Sequence, residues 1–428
     1  MDGAGIRAVK GRQVWDSRGR PTIEVEVTLA SGAIGRAIAP SGASTGKREA
    51  LDLRDGGTRL RGFGVNAPLA AVNTVIAPQL VGMDAADQTA IDRALIELDG
   101  TPQKVRLGGN ACVAVSSAVA WAAASAAGVP LWAYFRRLAA LPDTPHIPAP
   151  MIQIFGGGAH AGKRVDIQDF LVIPIAAGTF AEAVEWVAEI YMAAATLMKK
   201  ERSLAGVSDE GGLWPDFTRN EDGLIYLTRA IEHAGFAAGT DVGIALDVAA
   251  SNFFDEGGYA FALDGKRMGA GELIDLLAAW RERYPIVSLE DPLAEDDDAG
   301  FVEITRRLSR NVQIVGDDYL TTNRERIDRA AGLGACNAVL LKANQCGTIT
   351  ELIEASAVAK SHGWNTIMSG RSGESEDVTL SHLAVGLMSD QVKVGSVTRS
   401  ERTAKWNELI RIEEAMASGA YRRFKTPT

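Results

Sequence analysis

Five charged residues in the second half of the chain each follow a short apolar run. The runs GIALD, PIVSLED, QIVGDD, AVLLK and QVK place Asp247, Glu290, Asp317, Lys342 and Lys393 at predicted strand ends. The spacing of roughly 25 to 50 residues corresponds to one or two β–α units of a (β/α)8 barrel. Because residues at the C-terminal ends of parallel strands face the same side of a barrel, the five side chains are predicted to meet in one pocket.

Three carboxylates in one pocket predict a metal site. Asp247, Glu290 and Asp317 would repel one another unless a divalent cation held them, and octahedral oxygen ligation suits Mg2+. The alternative is that each charge only begins a polar surface loop. Five such endings in series, with both lysines directly against apolar runs, favour the pocket.

Two residues have the predicted surroundings of a proton donor and a proton acceptor. Glu210 lies in SDEGG at 208–212, where a neighbouring acid and a polyanionic substrate would raise its pKa, as a general acid requires. Lys342 would lie beside metal and Lys393, which would lower its pKa and let its neutral amine act as a base.

Three glycine-rich polar loops offer hydroxyls, backbone N–H groups and basic side chains to a phosphate or carboxylate. They are PSGASTGKRE at 40–49, FGGGAHAGK at 155–163 and SGRSGESED at 369–377. None is a P-loop, since GxxxxGK[ST] is absent. A surface turn is the alternative for each loop, and a structural hydrogen bond is the alternative for His160.

The composition is that of an acidic globular protein. Its 428 residues carry a formal net charge of -10, which disfavours nucleic acid as a partner. Its three cysteines form no CxxC pair and no metal spacing with histidine, so reduced thiols and a cytoplasmic location are expected. No membrane association is expected either, because serines and a glycine interrupt the Ala-rich stretch 111–129, which favours a buried helix.

The predicted secondary structure that positions these residues differs between the first and the second part of the chain. TIEVEVTL alternates with period two and IGRAIAP follows a turn, so the chain opens as an antiparallel sheet, followed by helices. Four prolines between Leu141 and Met151 indicate a linker, and strands alternate with helices beyond Met151. The fold class is therefore predicted as α/β, with an N-terminal α+β domain over 1–141 and a (β/α)8 barrel over 142–428.

The ordered series SGASTG, GGGAHAG, SDEGG, ALDVAAS, SLEDP, GDD, LLKANQCGT, RSGESED and KVGSVTRSERTAKWNELIRIEE closely resembles the enolase family over essentially the whole chain. The resemblance implies a capping N-terminal domain and a barrel of the ββαα(βα)6 variant. It also implies two Mg2+ ions, the second recruited with substrate, and dehydration of 2-phosphoglycerate to phosphoenolpyruvate. A homodimer or higher homo-oligomer is expected on the same ground.

The resemblance also assigns roles to the residues at the centre of the predicted pocket. Asp247, Glu290 and Asp317 match the ligands of the first magnesium. Lys342 matches the base that removes the C2 proton, and Glu210 matches the acid that assists departure of the C3 hydroxyl.

Further residues match substrate contacts in the family. Lys393 matches the lysine on the substrate carboxylate, and Arg371 with Ser372 matches the phosphate clamp. Ser41 lies in the mobile loop that also ligates the second metal, and His160 matches another loop residue near the substrate.

Two positions depart from the family pattern near the leaving-group end of the pocket. Asp169 stands in VDIQDF where the family generally has Glu, and Gly370 stands in MSGRSG where it has His. The lost imidazole opens volume, which suggests an alternative substrate: a phosphorylated or phosphonylated C3 acid with an additional or altered group. Enolase-like enzymes such as a carboxyphosphonoenolpyruvate synthase or a phosphonopyruvate hydratase fit that description.

Two other readings are open. A non-catalytic binding protein with an enolase fold is disfavoured, because a drifting pseudoenzyme has no reason to keep every metal and base position. A racemase or cycloisomerase is disfavoured because the SGASTG and RSGESED loops suit phosphate.

Overall fold

The structure is a computed structural model that describes residues 3–43, 45–142, 144–255, 257–416 and 420–426. Ser44 of the SGASTG loop lies outside the described residues, and so do the outermost residues of both predicted domains, 1–2 and 427–428.

The N-terminal region opens with an antiparallel meander, as predicted. Its strands are β1 (Ile6–Trp15), β2 (Pro21–Leu29) and β3 (Ile34–Ile38), with β2 in the middle. The alternation in TIEVEVTL sends Ile23, Val25 and Val27 into the core, where they are 0% exposed. Glu24 and Glu26 project from the opposite face, because successive strand residues point to opposite sides.

Helices cover one face of this sheet. They are α1 (Asn66–Ala70) and α2 (Ala77–Leu80), joined by a π-helical segment Ala71–Ile76, then α3 (Gln88–Asp99), α4 (Gly109–Ala126) and α5 (Leu131–Leu138). The α4 helix is long and apolar enough to cross a membrane, but most of it is buried inside the protein against β2 and β3. Core helices pass the same length and composition test, so α4 is weak evidence for a membrane span.

The strands of the second region, in chain order, are β4 (Ala149–Gly156), β5 (Asp169–Pro174), β6 (Leu204–Val207), β7 (Leu213–Pro215), β8 (Val242–Asp247), β9 (Phe254–Asp255), β10 (Gly258–Phe261), β11 (Lys266–Met268), β12 (Ile286–Glu290), β13 (Gln313–Gly316), β14 (Ala338–Leu341), β15 (Asn365–Ser369) and β16 (Gln391–Gly395). Within the described residues, eight of them close a barrel in the order β4, β5, β8, β12, β13, β14, β15 and β16, and β16 pairs with β4. The β5 strand runs antiparallel to both its neighbours, whereas the other pairs are parallel.

The helices of this region are α6 (Phe180–Glu201), α7 (Asp222–His233), α8 (Ala270–Arg283), α9 (Asp298–Leu308), α10 (Arg324–Leu333), α11 (Ala343–Cys346), α12 (Ile349–Ser361), α13 (Thr379–Gly386) and α14 (Ser400–Ala415). Short 3-10 turns cover Arg59–Gly62, Gly158–Ala161 and Ala250–Phe253. Among the barrel elements, the strands β4 and β5 and then the helices α6 and α7 precede the strand–helix alternation that starts at β8. The ββαα(βα)6 order is therefore confirmed.

One element that positions the site has no counterpart in the sequence predictions. The β6 and β7 strands form an antiparallel hairpin that attaches to β4 beside the barrel. The turn of this hairpin is the SDEGG segment, so the hairpin carries Glu210 to the same end of the barrel as the strand-end carboxylates.

Candidate active site

The structure brings the five strand-end charges together at one end of the barrel. Asp247 and Glu290 are the last residues of β8 and β12, and Asp317 and Lys342 directly follow β13 and β14. Lys393 differs from the prediction, because β16 continues for two residues beyond it. All five side chains are buried, with relative exposures of 9% or less.

Lys393 is the cation at the centre of this cluster. Its Nζ lies 2.8 Å from Asp247 Oδ2 and 2.8 Å from both carboxylate oxygens of Glu290, and 3.8 Å from Asp169 Oδ2. Burial lowers the pKa of Lys393, but these three carboxylates outweigh burial and raise it well above its usual value. Lys393 is therefore a permanent positive charge in this arrangement.

Lys342 is paired with Asp317, with 2.5 Å between its Nζ and Asp317 Oδ2. Burial lowers the pKa of Lys342, but the charges of Asp317, Glu290 and Asp318 outweigh it, so its pKa is raised. This direction is opposite to the shift towards the neutral amine, which was predicted beside a bound metal. Its cause is that the carboxylates of Asp317, Glu290 and Asp318 lie close to the buried amine.

The donor set of Asp247, Glu290 and Asp317 fits a divalent cation. Five buried carboxylates, those three with Asp169 and Glu210, lie around Lys342 and Lys393, and neighbouring carboxylates repel one another. Burial and then the neighbouring Asp247 raise the pKa of Glu290 well above its usual value. A hard cation with oxygen ligands would relieve that repulsion, as Mg2+ does.

Two other acids lie beside Asp317. Asp291 accepts the backbone N–H of Asp317 at 2.9 Å and that of Asp318 at 2.8 Å, so it fixes the segment that carries the predicted ligand. Among the described residues, Asp291, Asp317 and Asp318 form one of two groups whose ligand atoms lie within 4.8 Å of one another. Among the same residues, the predicted trio of Asp247, Glu290 and Asp317 is not such a group.

The other group lies at the predicted leaving-group end and contains His160, Asp169 and Glu210. His160 Nε2 is 3.7 Å from Glu210 Oε1, and its Nδ1 is 3.5 Å from the hydroxyl of Ser372. All four residues are buried and line one small cavity together with Lys342 and Lys393. The base and acid predicted from sequence therefore face the same space.

The protonation of the two acids in this cavity differs from the prediction. Burial and then the charge of Glu210 raise the pKa of Asp169 to about 7. Burial also raises the pKa of Glu210, but His160, Arg402, Lys393 and Lys342 outweigh it and lower that pKa. The direction at Glu210 is opposite to the rise expected beside a polyanionic substrate, and Asp169 is the acid whose pKa is raised, since two close carboxylates cannot both ionise freely.

Gly370 also lines this cavity. A Cβ built on Gly370 would lie 3.2 Å from Glu374 Oε1 and 3.5 Å from side-chain carbons of Leu380 and Val394. The immediate neighbourhood of the missing side chain is thus filled, and any extra room lies further into the cavity.

Arg371, predicted to bind phosphate, already has an acidic partner. Its Nη1 lies 2.7 Å from Glu49 Oε2, and its Nη2 lies 3.2 Å from Glu49 Oε1. It also donates to Asn344 Oδ1 at 3.2 Å. Arg371 lines both the catalytic cavity and a larger cleft that contains loop 40–49, so it stands where the two spaces meet.

Ser41 lies in that neighbouring cleft and does not line the catalytic cavity. Its hydroxyl donates to Asp52 Oδ2 at 3.0 Å and accepts from Arg18 at 3.1 Å and from Arg54 at 2.9 Å. Its backbone pairs with Gly373, next to the predicted phosphate clamp. The structure therefore places Ser41 beside the clamp but away from the predicted metal ligands.

Sequence reasoning missed three buried glutamines that touch the acids. Gln168 donates to Asp247 Oδ2 at 3.0 Å, Gln345 donates to Asp317 Oδ1 at 2.9 Å, and Gln153 donates to Asp169 Oδ1. A polar amide inside the apolar run MIQIF was the available signal for Gln153, since a buried amide requires partners.

Comparison with known proteins agrees with this geometry. Residues 6–135 match the family described as Enolase, N-terminal domain, and residues 144–426 match the one described as Enolase, C-terminal TIM barrel domain. The chain is 49% identical over 423 residues to Enolase 1 of Desulfitobacterium hafniense (strain Y51). That alignment covers 98% of this chain and 96% of the relative.

Proposed function

The chain belongs to the enolase family and is a carbon–oxygen lyase, and we propose that it removes water from 2-phosphoglycerate to give phosphoenolpyruvate. The observation that carries this proposal is the shared cavity. Lys342, Asp169 and Glu210 all line it, so a proton acceptor and proton donors can reach one substrate bound there.

We propose that Asp247, Glu290 and Asp317 hold Mg2+. When bound, the ion supplies positive charge that offsets the extra negative charge a carboxylate substrate gains as its C2 proton leaves. A second ion, recruited with substrate, and its ligation by Ser41 are also proposals. To ligate a metal ion, the Ser41 hydroxyl must give up its hydrogen bonds with Arg18, Asp52 and Arg54.

In the first chemical step, Lys342 Nζ takes the proton from C2. Only the unprotonated amine can do so, and the carboxylate of Asp317 at 2.5 Å favours the protonated form. Asp317 would hold the metal ion when it is bound, which would weaken the strongest influence that raises the pKa of Lys342. Burial of the amine favours its neutral form.

In the second step the C3–O bond breaks, and the proton held by the Asp169–Glu210 pair passes to the departing oxygen to give water. The electron pair left at C2 forms the C2–C3 double bond. The pKa of about 7 at Asp169 suits this role, because a group that titrates near neutral pH can supply a proton there. We propose Glu210 as the residue that delivers the proton and Asp169 as its reservoir.

The remaining charges are suited to bind the two anionic groups of the substrate. Lys393 is proposed to face its carboxylate, and Arg371 with Ser372 is proposed to bind its phosphate, with His160 near the leaving group. The Arg402 guanidinium supports the clamp by donating to the carbonyl oxygens of both Arg371 and Ser372.

The test is formation of the phosphoenolpyruvate absorbance from 2-phosphoglycerate with saturating Mg2+, with and without a chelator. Turnover that is lost on chelation and restored by Mg2+ supports the proposal. Absence of turnover by the folded protein, together with no exchange of the substrate C2 proton in heavy water, overturns it.

Gly370 favours a second candidate, an enolase-like reaction on a phosphonylated or otherwise extended C3 acid. The glycine lines the cavity and lacks the imidazole that the family pattern has at this position, which is the sequence reason for an altered substrate. Turnover of a phosphonylated or carboxyphosphono C3 acid that keeps the C2 proton and the C3 hydroxyl, above that of 2-phosphoglycerate, would favour it. A gain of 2-phosphoglycerate turnover in Gly370→His would attribute the preference to this position.

Three further expectations remain proposals. They are a domain division at 141/142, a homodimeric or higher homo-oligomeric assembly, and a cytoplasmic location. The first is supported by the family matches, which end at residue 135 and resume at residue 144.

A further inference from the structure

Gln153 connects the two acids of the leaving-group end. It lies in β4, is 0% exposed, and donates from Nε2 to Asp169 Oδ1. Its Oε1 accepts the backbone N–H of Gly212 at 2.9 Å and the hydroxyl of Ser208 at 3.4 Å. Ser208 and Gly212 bracket Glu210, so a single amide contacts Asp169 and both ends of the turn that carries Glu210.

The chemistry of this contact is specific to a primary amide. Asp169 presents an acceptor and Gly212 presents a donor, and only an amide offers an N–H and a carbonyl oxygen on one side chain. A carboxylate would add a third negative charge beside Asp169, and an apolar side chain would leave a buried donor unsatisfied.

The glycines around Gln153 match its close packing. A Cβ at Gly212 would clash with Gln153 Oε1, and a Cβ at Gly156 would clash with the Ser208 hydroxyl while lying 3.4 Å from Gln153 Nε2. The turn therefore lies close against Gln153 of β4. Gly212, the second glycine after Glu210, has a structural reason that is separate from any ligand.

We infer that Gln153 is a positioning residue for the loss of water, acting through Asp169 and Glu210. This inference rests on the proposed function. Among the described residues, Gln153 has no hydrogen bond to Asp247, Glu290, Asp317 or Lys342. The proposed metal ligands Asp247 and Asp317 accept hydrogen bonds from Gln168 and Gln345 instead. Gln153 therefore supports proton delivery to the leaving oxygen and leaves C2 proton removal untouched.

The experiment uses the Mg2+-loaded enzyme with 2-phosphoglycerate in heavy water. It compares the rate of deuterium incorporation at C2 with the rate of phosphoenolpyruvate formation in wild type, Gln153→Met and Gln153→Glu. Gln313→Met is the matched control, because Gln313 is equally buried and hydrogen-bonded to Gln391 and Ser288, at the opposite end of the barrel strands.

For Gln153→Met we expect product formation to fall by about 10- to 100-fold, the usual range for a residue that orients a functional group, with C2 exchange within about twofold of wild type. Gln313→Met should change both rates equally or not at all. Gln153→Glu keeps the acceptor for the Gly212 N–H but repels the Asp169 carboxylate. It should therefore also lose product formation while C2 exchange stays near the wild-type rate. Equal loss of both rates, or no loss of either, in the folded Gln153 variants overturns the inference.

A crystal structure of Gln153→Met separates this inference from the proposed function. Displacement of the 208–212 turn relative to β5 supports positioning whichever substrate the enzyme uses. An unmoved turn overturns positioning. Failure of the wild-type enzyme to convert 2-phosphoglycerate would instead count against the proposed function.

Discussion

Arg371 and Glu49 form a buried two-bond ion pair, with 2.7 Å between Arg371 Nη1 and Glu49 Oε2 and side-chain exposures of 3% and 5%. Glu49 belongs to the loop 40–49, whereas Arg371 follows β15 of the barrel. A carboxylate from one region of the chain thus occupies the arginine that is proposed to bind phosphate. Substrate phosphate must share or displace this partner.

Glu49→Gln is expected to lower the KM for 2-phosphoglycerate by about three- to tenfold, because the neutral amide competes less with phosphate for the guanidinium. The same change should reduce the free energy of unfolding by about 3 kcal/mol, since it leaves a buried charge without its full partner. Steady-state kinetics and denaturant unfolding measure the two effects. Glu24→Gln, at a part-exposed ion pair with Arg12, is the control. A raised KM would show that Glu49 orients Arg371 for phosphate.

Glu290→Gln is expected to weaken Mg2+ binding by about 10- to 100-fold, because it removes one of the proposed charged ligands. Calorimetric titration with Mg2+ in the absence of substrate measures this directly. Asp296→Asn, at an exposed acid paired with Lys47 and Arg48, should bind Mg2+ like the wild type. Unchanged affinity in Glu290→Gln would place the ion elsewhere, with the Asp291, Asp317 and Asp318 group as the next location to test.

Lys342→Met is expected to abolish both C2 exchange and product formation, with a loss of about a thousandfold or more, because it removes the proposed base. Among the described residues, the other amine that lines the cavity is that of Lys393, whose carboxylate neighbours raise its pKa. Exchange into heavy water followed by NMR checks the first step separately. Retained exchange would assign the base to a different residue.

The buried Asp92 predicts a pH dependence of stability at the contact between α3 and α12. It accepts hydrogen bonds from Ser116, Gln88 and Thr350, and burial raises its pKa from 3.8 to about 6. The folded state therefore binds this proton more tightly than the unfolded state. The contribution of Asp92 to stability is largest below pH of about 4 and declines as the pH rises towards about 6.

Asp92→Asn removes this titration, so the stability of the variant relative to wild type should increase with pH across that window, by up to about 3 kcal/mol for a shift of this size. Chemical unfolding between about pH 4 and pH 7 measures the difference. The exposed Asp216 provides a control as Asp216→Asn. A difference that is constant with pH would mean that Asp92 is ionised throughout.

Much of the architecture was predictable because its signals are local. The period-two alternation of TIEVEVTL marks β2, and the apolar runs that end at Asp247, Glu290 and Lys342 mark strands that the structure confirms. The hairpin β6–β7 was not predicted, because its strands have four and three residues and owe their order to pairing with β4.

The sequence by itself determined the enolase-type barrel, its order and the residue types gathered at one of its ends, since strand periodicity and ordered family motifs are carried by neighbouring residues. Only the tertiary structure decided which charge meets which. Lys393 pairs with Asp247 across 146 residues, and Arg371 pairs with Glu49 across 322. Those distances set the directions of the pKa shifts at Lys342, Asp169 and Glu210, because electrostatic energy depends on separation and burial in space rather than along the chain.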